Sequence, residues 1–118
     1  MFAPVLCART DRSIGAVVLT VSGPLTTCEH VAALRKTLEM VPPGYSLIIE
    51  LDAMTTLSSM GLGCLRDLAH DAIRQGTRLV LVSESLDVRA NLVLNDLDSL
   101  APVLHNLRQA RQVVAAAA

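Results

Sequence analysis

A six-residue run, Ser46–Leu51, constrains the fold more than any other segment of this sequence. Its apolar residues occupy both alternating positions, so a strand formed by it has two faces to bury. Such a strand belongs in the middle of a sheet that is covered on both sides. An amphipathic helix pattern follows and continues to about Gln75, with an expected buried stripe of Leu62, Leu65, Leu68, Ala69 and Ile73. A buried strand that leads into an amphipathic helix indicates an α/β domain.

The residues before this strand predict a hairpin and a first helix. Segments 3–9 and 15–22 are rich in strand-forming residues, and turn-forming residues separate them. Thr26 and Glu29 fit a capping box, which predicts a helix that starts near Thr27. The buried stripe of this helix is expected to contain Val31, Leu34, Leu38 and Val41.

The residues after the second helix predict two further strand and helix pairs. They are, in chain order, a buried strand at 79–82, a helix capped by Ser85 that reaches about Asn95, an edge strand at 101–104 and a helix from Asn106 to Val114. The full order is therefore β-β-α-β-α-β-α-β-α, which predicts a mixed sheet of four to five strands with helices packed on it. We expect one domain over residues 1–118, with a frayed alanine tail at 115–118.

Composition argues against several classes of protein. Hydrophobic residues make up 52% of the 118 residues, yet no apolar stretch reaches the roughly 18 residues of a membrane-spanning helix. The start of the chain lacks the pattern of a signal peptide, so we expect a cytoplasmic protein without direct membrane insertion. The net charge is -1, the cations are scattered and only two residues are aromatic, which argues against a nucleic-acid partner.

Cysteine and histidine patterns do not indicate a metal site or a cofactor. The three cysteines are widely spaced and form no CxxC pair or Cys/His cluster. Cys7 and Cys64 lie in core-like patterns, where the ordinary role of cysteine is that of a small buried hydrophobe.

A hydroxyl-rich run, residues 57–63, lies where the second helix begins. Ser58 and Ser59 there can cap the helix, hold a phosphate or accept one, because backbone N–H groups point outward at a helix start. A serine nucleophile needs a base, and His70 lies about three helical turns beyond Ser59. Gly61 and Gly63 do not complete a nucleotide-binding fingerprint. We therefore expect no enzymatic activity, and a small enzyme or a nucleotide-binding domain is the least favoured reading.

The same run resembles the signature of a known family. Residues 50–63 read Glu-Leu-Asp-Ala-Met-Thr-Thr-Leu-Ser-Ser-Met-Gly-Leu-Gly. This resembles the pattern Asp-Leu-Ser-x-Val-x-Phe-Leu-Asp-Ser-Ser-Gly-Leu-Gly of STAS domains, the anti-sigma factor antagonists. Segments 74–82 and 21–26 are similar to two further stretches of that family. The resemblance covers most of the chain and implies a STAS-like mixed β-sheet.

The resemblance implies a regulatory protein that is switched by phosphorylation. Alignment on Gly61 places Ser59 at the family's phosphoacceptor, with Ser58 as the alternative. The implied partner is an anti-sigma factor that is a serine kinase with a histidine-kinase-like ATPase fold, and binding it releases a sigma factor for transcription. The resemblance implies a partner-binding surface made of Thr26, Thr27, Ser58, Met60, Gly61 and Leu62. A homodimer is also left open.

The sequence departs from the family pattern at the acidic positions. Ser58 and Thr26 stand where the family carries aspartates, and Met60 replaces its second serine. An alternative therefore stays open, in which the chain is a STAS subunit or scaffold of a transport or stress-signalling complex. In that case the same surface docks an ATPase or a scaffold protein without phosphorylation.

Overall fold

The computed structural model describes residues 5–52 and 55–116. Its strands are β1 (Val5–Asp11), β2 (Ala16–Ser22), β3 (Pro24–Leu25), β4 (Ser46–Leu51), β5 (Thr56–Leu57), β6 (Leu79–Val82) and β7 (Val103–Leu104). Its helices are α1 (Cys28–Glu39), α2 (Ser59–Arg74), α3 (Leu86–Leu94) and α4 (Leu107–Ala116), with a short 3-10 helix at Leu97–Ser99. The predicted α/β class and the order of the main elements are confirmed.

Five of the strands form one mixed sheet in the order β1-β2-β4-β6-β7. The β1–β2 hairpin is antiparallel, as predicted, and the other pairings are parallel. The strand that we expected in the centre, Ser46–Leu51, is β4, and Ile48 lies between Val18 of β2 and Val80 of β6. Parallel strands place their carboxyl ends at one edge of the sheet, and the loops that follow β2 and β4 meet there.

Helices cover both faces of the sheet, which explains why β4 is apolar at both alternating positions. On one face Leu19, Ile49 and Leu81 belong to the main core, together with buried residues of α1, α2 and α3. On the other face Ile48 and Val80 pack with α4. Within residues 5–52 and 55–116, none of the helices combines the length and apolar character that crossing a bilayer requires.

Two predicted helix caps are confirmed and one is corrected. Ser85 caps α3, since its side chain accepts from the Val88 N–H, and Asn106 accepts from the Gln109 N–H at 2.9 Å. The cap of α1 is Thr27 rather than Thr26, so the predicted box of Thr26 and Glu29 is wrong. The physical reason is that Thr26 directly follows β3. Its N–H donates to His30 and its carbonyl accepts from Ser58, so the helix begins after Thr27.

The predicted burial of Ile73 and of two cysteines also needs correction. Ile73 is 56% exposed and Ala72 takes the buried position on α2, because Ile73 lies to one side of the stripe that faces the sheet. Cys7 is exposed on the edge strand β1, and Cys64 is only half-buried against the core. In the tail, residues 115 and 116 belong to α4, whereas 117 and 118 lie outside the described residues.

Candidate functional site

A second, two-stranded sheet brings two distant loops together at the carboxyl edge of the main sheet. In it β3 lies parallel to β5, with Pro24 opposite Thr56 and Leu25 opposite Leu57. The Thr56 N–H donates to the Gly23 carbonyl at 3.3 Å. The chain that leaves β2 therefore runs beside the chain that leaves β4. This pairing places Thr26 next to the start of α2.

Ser58 joins the two loops and caps α2 with one hydroxyl. Its Oγ accepts from the Gly61 N–H at 3.0 Å, which satisfies a backbone donor of the first helical turn. The same Oγ donates to the Thr26 carbonyl at 3.0 Å. Both hydrogen-bonding functions of this half-buried hydroxyl are thus used within the protein.

Gly61 lets the start of α2 approach the backbone of β3. A Cβ at this position would lie 1.8 Å from the Leu25 carbonyl oxygen, so only glycine fits. At Gly63, two residues further on, a Cβ would meet nothing within 4 Å. Leu62 is 7% exposed and belongs to the core. Gly61 and Leu62, which were predicted to contact a partner, are both buried in this structure.

Ser59 and Met60 are exposed at the mouth of α2. Ser59 is the first residue of the helix, and no hydrogen bond to its hydroxyl is found among the residues that the structure describes. Met60 is 56% exposed. Together with Thr26, Thr27 and Ser58 these residues form a patch that we call the helix-mouth surface. It contains no ionisable side chain, and the first turn of α2 carries no acidic residue.

His30 of α1 also belongs to this site, although its sequence position did not predict it. The Thr26 N–H donates to the Nδ1 of His30 at 3.3 Å, and the Thr26 hydroxyl lies 3.4 Å from the same nitrogen. In return, the His30 N–H donates to the Oγ1 of Thr27 at 3.2 Å. A threonine followed three residues later by a side chain that can accept a hydrogen bond is the signal that could have identified this pair. His70 and His105 are exposed; His70 lies on α2, and His105 lies in the loop between β7 and α4.

The described residues around the helix mouth include no metal-binding cluster. Within residues 5–52 and 55–116, no group of three or more His, Cys, Asp or Glu side chains could hold a metal ion. A cavity of about 500 Å³ is lined in part by Ile73, Leu79 and Pro102, so it lies at the opposite edge of the sheet. The helix-mouth surface therefore offers hydroxyls, a methionine and the partial positive charge of a helix start.

The fold defines the class as an α/β domain with a five-stranded mixed sheet that helices cover on both faces. The crystal structure of an anti-sigma factor antagonist from Mycobacterium paratuberculosis is similar, with a TM-score of 0.74, 22% identity and coverage of 95% of this chain and 94% of that chain. The NMR structure of the protein TM1081 gives a TM-score of 0.71 and 20% identity, with 97% of this chain and 91% of that chain covered. At these identities the likeness concerns the fold alone.

The model of the STAS domain family matches residues 8–110. The chain therefore belongs to the STAS domain family. No curated protein matches the sequence.

Proposed function

We propose that this chain is an anti-sigma factor antagonist, which binds an anti-sigma factor serine kinase and so frees a sigma factor. Phosphorylation of Ser59 would end that binding. The observation that carries the proposal is the Ser59 hydroxyl, which is exposed at the start of α2 in a STAS domain. The role implies a cytoplasmic location. It also implies that the partner, and not this chain, supplies ATP and catalysis.

The contacts of the two adjacent serines favour Ser59 over Ser58 as the acceptor. A kinase that modified Ser58 would replace the proton that this hydroxyl donates to the Thr26 carbonyl. Loss of that hydrogen bond costs about 1 kcal/mol. Ser59 can be modified without this loss.

The helix-mouth surface has no ionisable side chain, and this explains how an added phosphate could act as a switch. A phosphoserine adds about 1.5 to 2 negative charges to a surface without ionisable side chains. The domain itself tolerates that charge, because the helix start carries roughly half a positive charge. A partner that buries the uncharged surface would have to desolvate the phosphate, so its affinity would fall. On this proposal phosphorylation acts on binding and leaves the fold unchanged.

The proposal is tested first by identifying the partner and the modified residue. The tagged chain is purified from its native cells, and mass spectrometry identifies bound proteins and phosphosites. Support requires a kinase of the histidine-kinase-like ATPase fold that phosphorylates the purified chain in ATP and Mg²⁺. Ser59→Ala should abolish the phosphate, whereas Ser99→Ala, at an exposed serine elsewhere, should keep it. Phosphate on Ser58 in the Ser59→Ala protein would refute the assignment.

A second measurement tests the switch itself. Ser59→Asp should weaken binding to the purified kinase at least tenfold. Ser59→Asn introduces a side chain of the size of aspartate but without charge, so it should bind like the wild type. Equal affinity of Ser59→Asp and Ser59→Asn would contradict an electrostatic switch.

One observation favours the second candidate function, a docking subunit of a transport or stress-signalling complex. The helix-mouth surface has Thr26 and Ser58 where the family carries aspartates, so it lacks two charges that a kinase could recognise. Recovery of a transporter ATPase or a scaffold as the main partner, with Ser59 unmodified, would establish this function instead.

A further inference from the structure

We propose that His30 is a positioning residue that makes the helix-mouth surface sensitive to pH. The proposal deepens the proposed function, since it concerns the regulation of the same surface, but its structural part holds whatever the partner is. It rests on the reciprocal hydrogen bonds between His30 and the two threonines that precede α1.

These bonds resemble a capping box in which histidine replaces the usual glutamate or glutamine. Thr27 caps the helix by accepting from the His30 N–H, and the His30 ring reaches back to the Thr26 N–H. A backbone N–H can only donate, so the Nδ1 of His30 carries a lone pair and the ring proton lies on Nε2. Glutamate and glutamine remain acceptors at neutral pH. An imidazole loses this capacity when it is protonated, which for histidine happens between about pH 5 and 8.

Thr26 transmits the state of the ring to the start of α2. Its N–H is held by His30 and its carbonyl is held by the Ser58 hydroxyl, which in turn accepts from the Gly61 N–H. Protonation of Nδ1 places two donors face to face and removes the first of these anchors. The charged ring can still donate to the Thr26 hydroxyl, but only after it turns away from the N–H. A cation in the first turn of α1 also opposes the helix dipole.

The charged and titratable groups near His30 lie on α1 itself and on α2, which packs against it. Its own helix contributes the exposed Glu29 and, further on, Arg35. On α2, which packs along α1, the charged and titratable residues near Arg35 are Asp67, His70, Asp71 and Arg74. The strands β3 and β5 carry no ionisable residue. None of the ion pairs found among the described residues involves His30, and Asp71 pairs with the two arginines.

NMR on the whole ¹⁵N-labelled chain tests the structural part without a partner. The chemical shifts of the Thr26 and Gly61 amides should change between about pH 8 and 5.5. The midpoint of this change should equal the midpoint measured on the ring nitrogens of His30. At high pH the proton of the ring should be on Nε2. Amide-exchange protection of Thr26, corrected for the intrinsic rate, should fall about fivefold once the ring is charged, the factor expected for one hydrogen bond.

Two variants separate positioning from a general effect of pH. His30→Gln keeps an acceptor that does not titrate, so its Thr26 and Gly61 resonances should not shift over this range. In His70→Gln, which changes an exposed histidine of α2, the Thr26 and Gly61 resonances should shift with pH as they do in the wild type. A Thr26 resonance that stays constant while the His30 ring titrates, or a neutral ring with its proton on Nδ1, would overturn the proposal. Both of these results come from the wild-type chain, so they do not depend on the folding of a variant.

The regulatory part is then measured on the purified partner kinase. Wild-type affinity should fall about fivefold between pH 8 and pH 5.5 relative to His30→Gln, again the factor of one hydrogen bond. If the NMR shifts occur and both proteins lose affinity equally, the coupling to binding is refuted while the positioning role stands. If no kinase binds the chain at all, the proposed function fails and the NMR result still decides the role of His30.

Discussion

Replacing Gly61 by alanine is the sharpest test of how the helix-mouth surface is built. The added Cβ would lie 1.8 Å from the Leu25 carbonyl oxygen and 2.8 Å from its carbonyl carbon. Ordinary contacts begin near 3.4 Å, so α2 and β3 would have to separate by about 1.5 Å. The hydrogen bond from Ser58 to the Thr26 carbonyl, now 3.0 Å long, spans the same gap and would be lost.

The magnitude follows from three terms. Forcing a methyl group into a packed contact costs about 1–3 kcal/mol, and the lost hydrogen bond adds about 1 kcal/mol. Alanine in place of glycine within a helix returns about 1 kcal/mol. We therefore expect Gly61→Ala to lower the free energy of unfolding by about 1–3 kcal/mol. Gly63→Ala adds the same methyl group to the same helix with open space around it, so it should raise stability by about 1 kcal/mol.

Urea denaturation, monitored by circular dichroism, gives the free energy of unfolding of both variants. The two substitutions should change this free energy in opposite directions, while its slope against urea concentration stays the same. If Gly61→Ala alone is too unstable to purify, the Gly61→Ala and Gly63→Ala double variant partly offsets the loss and can be compared with Gly63→Ala. A Gly61→Ala protein as stable as Gly63→Ala would show that α2 does not approach β3 this closely, and the construction of the surface would be refuted.

Three further substitutions test individual contacts, each by the free energy of unfolding in urea. Ser59→Asp should stabilise the domain by about 0.3–1 kcal/mol relative to Ser59→Asn, because the charge faces a helix start, and the gain should vanish in 1 M salt. An equal gain in high salt would exclude the helix dipole as its cause. Ser58→Ala should cost about 1–3 kcal/mol, since it removes the cap of α2 and the bond to the Thr26 carbonyl; a loss under 0.5 kcal/mol would contradict this. The hydrogen bond from the Ser13 hydroxyl holds the pKa of Asp11 below its usual range, and Arg111 at 3.3 Å adds to this. That stabilisation is present above the ordinary carboxyl pKa and is lost as pH falls through the lowered value, so Asp11→Asn should be less stable than wild type at pH 7 but not at about pH 2.

The parts of the fold that follow from periodicity could be predicted from the sequence. The bounds of β4 were predicted residue for residue, because an apolar run that ends at Asp52 leaves little choice. Caps at Ser85 and Asn106 were also predicted, since each stands directly before an amphipathic pattern. The strands β3 and β5 could not be predicted, because two residues carry no periodic signal and pair only when the larger sheet brings them together.

In the site, too, contacts between distant segments could not be predicted from the sequence. The sequence indicated hydroxyls at a helix start, but only the contacts show that Ser58 is engaged and Ser59 exposed. Glu29 was chosen as the capping partner because glutamate usually has that role, and the structure gives the role to His30. The reason lies outside α1, since the pairing of β3 with β5 fixes where the helix can begin.

The pairing of β3 with β5 also makes the helix-mouth surface a discontinuous epitope. Its two halves, at Thr26 and Thr27 and at Ser58 to Met60, are about thirty residues apart in the chain. They are joined by this short ladder and by the Ser58 hydrogen bond to Thr26. A peptide that copies residues 55–74 would carry both serines and still lack the threonine half. A partner that reads the whole surface would thus discriminate between folded and unfolded copies of this chain, so a freshly made copy could act only after its central strands are in register.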